Sequence, residues 1–158
     1  NKTIEIENVK FIVSTLWSKI SPAHQWQIER SLSDFQVIKH NNLRLSAEVY
    51  NEQHSNCLNF IAKEIQLSNN CNSVVITHHV PTFLNYPESY KGDVLNEAFA
   101  IELFDLIERS NVNYWLYGHH HCNTSDFCIG KTNLITNQLG YVQRNEHHLF
   151  STNKILSI

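Results

Sequence analysis

Polar and apolar side chains alternate along Thr3-Ile4-Glu5-Ile6-Glu7, and Val9 to Val13 is a β-prone run. Asn8 between them is a turn signal, so the pattern predicts a hairpin or a pair of sheet strands. Ser21-Pro22 reads as a helix start, with Ser as N-cap and Pro at the first helical position, leading a short helix over Ala23 to Leu32. From about Ser46 to Leu67, Val49, Leu58, Ile61, Ala62 and Ile65 recur at helical spacing. Ser73 to Thr77 is a compact apolar strand bounded by Asn70, Asn72 and Ser73. A polar loop, Pro81 to Asp93, leads into a second amphipathic helix whose buried stripe is Leu95, Phe99, Leu103, Leu106 and Ile107. Asn111 ends it, and Asn113 to Tyr117 forms the next strand. Strand, helix, strand across residues 73–117 is a βαβ unit with parallel pairing. Phe127 to Ile129 and Asn133 to Thr136 form a hairpin around Gly130-Lys131, and a last strand, Lys154 to Ile158, is expected to close the sheet. Residues 1–158 read as one α/β unit without repeats or linkers.

Composition narrows the class. The chain has 158 residues, 42% hydrophobic and 17% charged, a globular balance. Net charge is -3 with scattered Lys and Arg, so there is no nucleic-acid footprint. No apolar run reaches membrane-spanning length and no signal-peptide pattern opens the chain, which predicts a soluble, cytoplasmic protein. Cys57, Cys71, Cys122 and Cys128 match no CxxC knuckle and read as reduced thiols, with Cys122 a minor candidate for a soft metal. The sequence contains no methionine and opens with Asn1, which suggests an excised piece of something longer or a processed product.

Histidine carries the candidate chemistry. Of ten histidines, His24, His40, His54, His147 and His148 sit in polar surroundings and are expected at the surface. The others follow strands: Val74-Val75-Ile76-Thr77 runs into His78-His79, and Tyr114-Trp115-Leu116-Tyr117 into Gly118-His119-His120-His121. In an α/β sheet the carboxyl ends of the strands form one ligand-binding rim. Neutral imidazole is a common transition-metal ligand that must be held in a defined orientation. Gly118 is expected to let the chain turn sharply; in extended geometry His119 and His121 then face one side and His120 the other. With His78 on a neighbouring strand, the three converge on a shared metal site.

These residues resemble the C-terminal half of the calcineurin-like metallophosphoesterases. Thr77-His78-His79-Val80-Pro81 is similar to the family's T-H-H-x-P segment and Gly118-His119-His120-His121 to its G-H-x-H segment. Tyr90-Lys91-Gly92 with Leu95-Asn96-Glu97-Ala98-Phe99 resembles the loop-to-helix stretch of one bacterial subgroup. Phe127-Cys128-Ile129-Gly130 with Thr136-Asn137-Gln138-Leu139-Gly140-Tyr141 resembles its closing segment, which usually ends N-x-x-G-Y, and Thr15-Leu16-Trp17 its earlier T-L-W. The resemblance implies half of a four-layer αββα sandwich, a mixed sheet with flanking helices. It also implies two divalent cations (Mn, Fe, Zn or Ni) that clamp a phosphate ester and activate a water. By the same resemblance His78 and His119 ligate one metal and His121 the other. His79 would sit beside the site or face the substrate.

The family's first half supplies D-x-H, G-D-x-x-D and G-N-H-[DE], and none of these is present. Asp34, Asp93, Asp105 and Asp126 lie in other contexts, and Gly92-Asp93-Val94-Leu95-Asn96 is an out-of-order near miss. Three histidines without a bridging carboxylate fall short in ligand count and charge for two hard cations. The chain alone is therefore expected to hold zero or one metal and to be inactive, becoming a phosphoesterase only with the missing N-terminal half. The alternative is a non-catalytic domain that binds a partner or a single zinc through His78, His119 and His121. Lacking its partner sheet, the chain is expected to bare an apolar face and an unpaired edge, and to dimerise or aggregate through them.

Overall fold

A computed structural model describes residues 1–68 and 71–158; Asn70, read above as a turn residue, lies outside the described residues. Six strands form one mixed sheet: β1 (Lys2–Ile6), β2 (Val9–Ser14), β5 (Asn72–Thr77), β6 (Tyr114–Tyr117), β7 (Phe127–Ile129) and β8 (Thr132–Thr136), in spatial order β1-β2-β5-β6-β8-β7. The four central strands are parallel and each edge is an antiparallel hairpin. A small separate ribbon, β3 (Lys39–His40) with β4 (Leu43–Arg44), completes the β structure. The helices are α1 (Gln25–Ser31), α2 (Asp34–Val37), α3 (Ala47–Leu67) and α4 (Phe104–Glu108). This is a mixed α/β fold.

Local chemistry explains most of these elements. The β1–β2 hairpin turns on Glu7 and Asn8, at φ 50° and 66°, the backbone hand that matches strand twist in two-residue turns. Asn41 and Asn42 do the same for β3–β4 (φ 52° and 65°), a turn the hydrophobic pattern did not mark. Gly130 makes the β7–β8 turn at φ +57°, where a Cβ would meet the Glu108 carbonyl at 2.7 Å. At the head of α3 the Ser46 side chain accepts from the Val49 N–H, satisfying one of the helix's free donors.

Three expected elements are corrected. Ser21 is no N-cap: its N–H and hydroxyl both donate to the Glu97 carboxylate (2.7 and 3.1 Å), and α1 begins at Gln25. The helix expected after residue 93 is broken. A 3-10 turn, Val94–Ala98, is followed by Ala100 bridging to Val80, and only then by α4. The bridge draws the backbone out of helical geometry, and Glu102 caps the restart by accepting from the Phe104 N–H at 2.9 Å. The tail 154–158 adds no strand to the sheet; Tyr114 Oη donates to the Ser157 carbonyl (2.7 Å), which lays the tail alongside β6 instead.

Register sorts the sheet into two faces. Ile12, Val75, Trp115 and Leu134 stand in one row across four strands, and with Ile61 and Ile65 of α3 and Ile107 of α4 they form the main core. The opposite face carries Val13, Ile76, Leu116 and Ile135 in the next row, of which the first three are only half-buried. At its edge β1 is exposed throughout, with Ile4 and Ile6 40% and 56% accessible. Such an edge and face favour self-association. Light scattering at high concentration should show dimers or larger species, shifted towards monomer by Ile6→Lys; a clean monomer for the unmodified chain would count against this.

Candidate metal centre

The histidines sit where the parallel strands end. The Gly118 N–H donates to the His78 carbonyl (3.2 Å), tying the segment after β6 to the segment after β5. The His79 N–H donates to the Thr15 carbonyl (3.1 Å), tying β5 in turn to the segment after β2. A second apolar cluster of Ile20, Ile28, Phe35, Leu45, Ala47, Tyr50 and Ala98 backs this rim. The resulting cavity, about 530 Å³, is lined by His78, His119, His120 and His121 together with Asp34, Asp93, Glu146 and Arg144, and by aromatic rings including Phe99 and Tyr141. The three residues expected as ligands thus line one cavity.

The loop geometry differs from the expected extended one. The left-handed positions are His119 (φ 76°) and His121 (φ 54°), whereas Gly118 is not among the residues with positive φ. Each non-glycine residue held there costs about 1–2 kcal/mol, and strain of this kind clusters at functional sites. Leu16 and Trp17, on the adjoining segment, are also left-handed (φ 68° and 47°).

Each imidazole has a defined setting. His119 stacks on Phe99 (centroids 4.4 Å, 22°) and lies 4.4 Å from the rings of both His78 and His79. Its Nε2 is 3.3 Å from the Ala98 carbonyl, which also accepts from Tyr50 Oη at 2.9 Å. That contact makes Nε2 the protonated nitrogen and leaves Nδ1 with its lone pair. His121 Nδ1 bonds Glu146 Oε2 at 3.0 Å, leaving Nε2 available, and the ring meets Tyr141 edge-on at 4.7 Å. The His78 side chain makes no hydrogen bond among the described residues, so both its nitrogens are open.

His79 is 3% accessible and packed among Trp17, Tyr50 and His119, so it stands behind the cavity rather than in it. Burial holds His78 and His79 below the usual imidazole range, His79 strongly, and pushes His119 down to about 3 and His120 to about 4, with neighbouring imidazoles adding to the effect. His78, His79, His119 and His120 are therefore neutral at physiological pH, the form that ligates metals. Among the described residues, no group of three or more His, Cys, Asp or Glu side chains is disposed to hold a metal ion.

Three acidic residues of the cavity were not read as site residues in the sequence. Asp34 comes from the start of α2, and its charge acts on His78. Asp93, the out-of-order near miss, lies on the cavity wall but uses Oδ1 to accept from the Leu95 N–H (2.8 Å). Glu146 comes from a 3-10 turn, Glu146–Leu149, and also accepts from the Tyr141 N–H (2.6 Å). Burial raises the Cys122 thiol, which disfavours the thiolate that a soft metal would require.

The surface histidines also differ in part. His54 is buried on α3 with Nδ1 2.8 Å from the Trp17 carbonyl, and His24 bonds Glu97 Oε1 at 2.8 Å. His40 and His147 are half-buried, and His148 is exposed. Among the described residues, no helix is long and apolar enough to cross a membrane.

No protein-family profile matches the chain. Over 153 residues it is 34% identical to an uncharacterized protein, L509, of Acanthamoeba polyphaga mimivirus. That alignment takes in 89% of this chain and 53% of the viral protein, so the chain spans about half the length of the curated relative it matches.

Proposed function

We propose that this chain supplies the histidine half of a two-metal phosphoesterase centre and one sheet of an αββα sandwich. The observation that carries the reading is the meeting of His78 with His119, rings 4.4 Å apart, in a cavity that His121 also lines. In this reading His78 and His119 serve one divalent cation and His121 the other, while carboxylates that the chain does not itself place there complete both. The donors fit that assignment. They are neutral or have a free ring nitrogen, and Glu146 fixes His121 in the carboxylate–imidazole arrangement typical of metal-ligating histidine.

When bound, the cations would polarise a phosphate ester and lower the pKa of a water for in-line attack. The chain's own residues do the positioning. Phe99 and the Ala98 carbonyl fix the plane and tautomer of His119, and the buried His79 ring keeps water from its back. Arg144, held over the Tyr141 ring at 5.2 Å, is the only cationic side chain among the cavity-lining residues and faces an anionic substrate.

Hydrolysis of a chromogenic phosphodiester tests the reading. A protein joining this chain to a segment that carries D-x-H, G-D-x-x-D and G-N-H motifs should hydrolyse it in the presence of Mn²⁺, and the chain alone should not. Activity of the chain alone, or metal-replete inactivity of the joined protein, would sink the proposal. The three-histidine set also leaves a single-zinc binding domain as a second reading, which stoichiometric zinc without hydrolysis in the joined protein would favour.

A further inference from the structure

The loop 118–122 bends through two strained histidines, yet its own residues hold little of that shape. Its only internal backbone bond outside regular structure is His120 N–H to the Gly118 carbonyl (3.1 Å). What holds it comes from another strand. Gln138, two residues beyond β8, receives the His121 N–H on Oε1 at 2.9 Å. Its Nε2 lies 3.0 Å from His120 Nδ1, 3.1 Å from the Cys122 carbonyl and 2.7 Å from Thr136 Oγ1. Gln138 is itself fixed by Asn123, whose Oδ1 accepts from the Gln138 N–H (2.6 Å) and whose Nδ2 donates to the Gln138 carbonyl (2.8 Å).

Donor and acceptor chemistry leaves one solution. Reversing the Gln138 amide would set Nε2 against an N–H and Oε1 against a carbonyl, losing both bonds. In the orientation that remains, two N–H groups serve three acceptors, so one is shared. His120 Nδ1 then faces two donors, Gln138 Nε2 and the Cys122 N–H at 3.2 Å, and must carry a lone pair. The ring proton sits on Nε2.

We propose that Gln138 is a positioning residue for the histidine loop: it fixes His120 as the Nε2–H tautomer and holds the His121 backbone so that the His119 and His121 rings face the cavity. The tautomer and backbone parts stand on these contacts alone, while the consequence for metal rests on the reading of His78, His119 and His121 as ligands.

The test is ¹⁵N-edited NMR of the folded, metal-free chain. Unmodified protein should show an unprotonated Nδ1 and a protonated Nε2 at His120, with slowed exchange of the His121 amide. Gln138→Leu should turn His120 into a tautomer mixture and speed His121 exchange. Thr136→Val, which removes one of the three acceptors around Nε2 and no contact of Gln138 with the loop, should change neither and so controls for general loosening. A proton on His120 Nδ1 in the unmodified chain overturns the proposal whether or not the variants fold, as does an unchanged tautomer in folded Gln138→Leu. Co²⁺ affinity should fall about 10- to 100-fold in Gln138→Leu relative to Thr136→Val. Absence of Co²⁺ binding by both the unmodified chain and the protein joined to the carboxylate-bearing segment would overturn the ligand reading, and the tautomer would still decide the role of Gln138.

Discussion

His119→Ala is expected to abolish hydrolysis by the protein joined to the carboxylate-bearing segment and to weaken divalent-metal binding by more than the roughly 10- to 100-fold that loss of an outer partner costs. The reason lies in how much converges on this ring. It stacks on Phe99, touches His78 and His79, and anchors one nitrogen on the Ala98 carbonyl, which leaves the other pre-aimed. Ala removes the donor and also strips Phe99 and the Ala98 carbonyl of their contact with the ring. Isothermal titration with Mn²⁺ and phosphodiester turnover read the two effects. Unfolding in urea should change less, because His119 lies outside the main core. Activity or affinity within about tenfold of the unmodified protein would show that His119 is not a ligand.

Trp115→Ala carries the largest expected effect on stability. Trp115 is fully buried in the row that spans β2, β5, β6 and β8, and its Nε1 donates to Thr77 Oγ1 at 3.0 Å. Losing a buried Trp costs about 3–5 kcal/mol in cavity and transfer terms, and leaving Thr77 short of a partner adds to that. A domain of ordinary stability has only about 5–15 kcal/mol to lose, so the variant should give up a large fraction of its stability. The urea midpoint measures it, and a shift equivalent to less than about 1 kcal/mol would contradict the packing described. Because Thr77 Oγ1 also donates to the His79 carbonyl (2.8 Å), partial unfolding should reach the histidine rim first.

The six strands of the main sheet were legible because their signals are local. β-prone runs end at Asn8 and at Gly130, whose side chains or lack of one permit the left-handed turn, and the runs ending in His78 and Gly118 placed the histidines on the rim. The helix after residue 93 was misread because apolar spacing does not report that Ala100 pairs with Val80, a contact set by the sheet and not by the segment. Helical spacing did not distinguish the buried His54 either, since its partner is a carbonyl freed by the left-handed Trp17. The acidic side of the cavity was invisible for a related reason. Asp34 and Glu146 sit in unremarkable polar stretches 44 and 68 residues from His78, and only the folded chain brings them to it.

The central claim is that His78, His119 and His121 belong to one two-metal centre. Its most direct test is a titration of the protein joined to the carboxylate-bearing segment with paramagnetic Mn²⁺, followed by the imidazole NMR signals. The rings of His78, His119 and His121 should broaden together, well before those of His24, His40 and His148, and Ala substitution of all three should remove the effect. First broadening at His24, His40 or His148, or no response of the three under excess Mn²⁺, would contradict it.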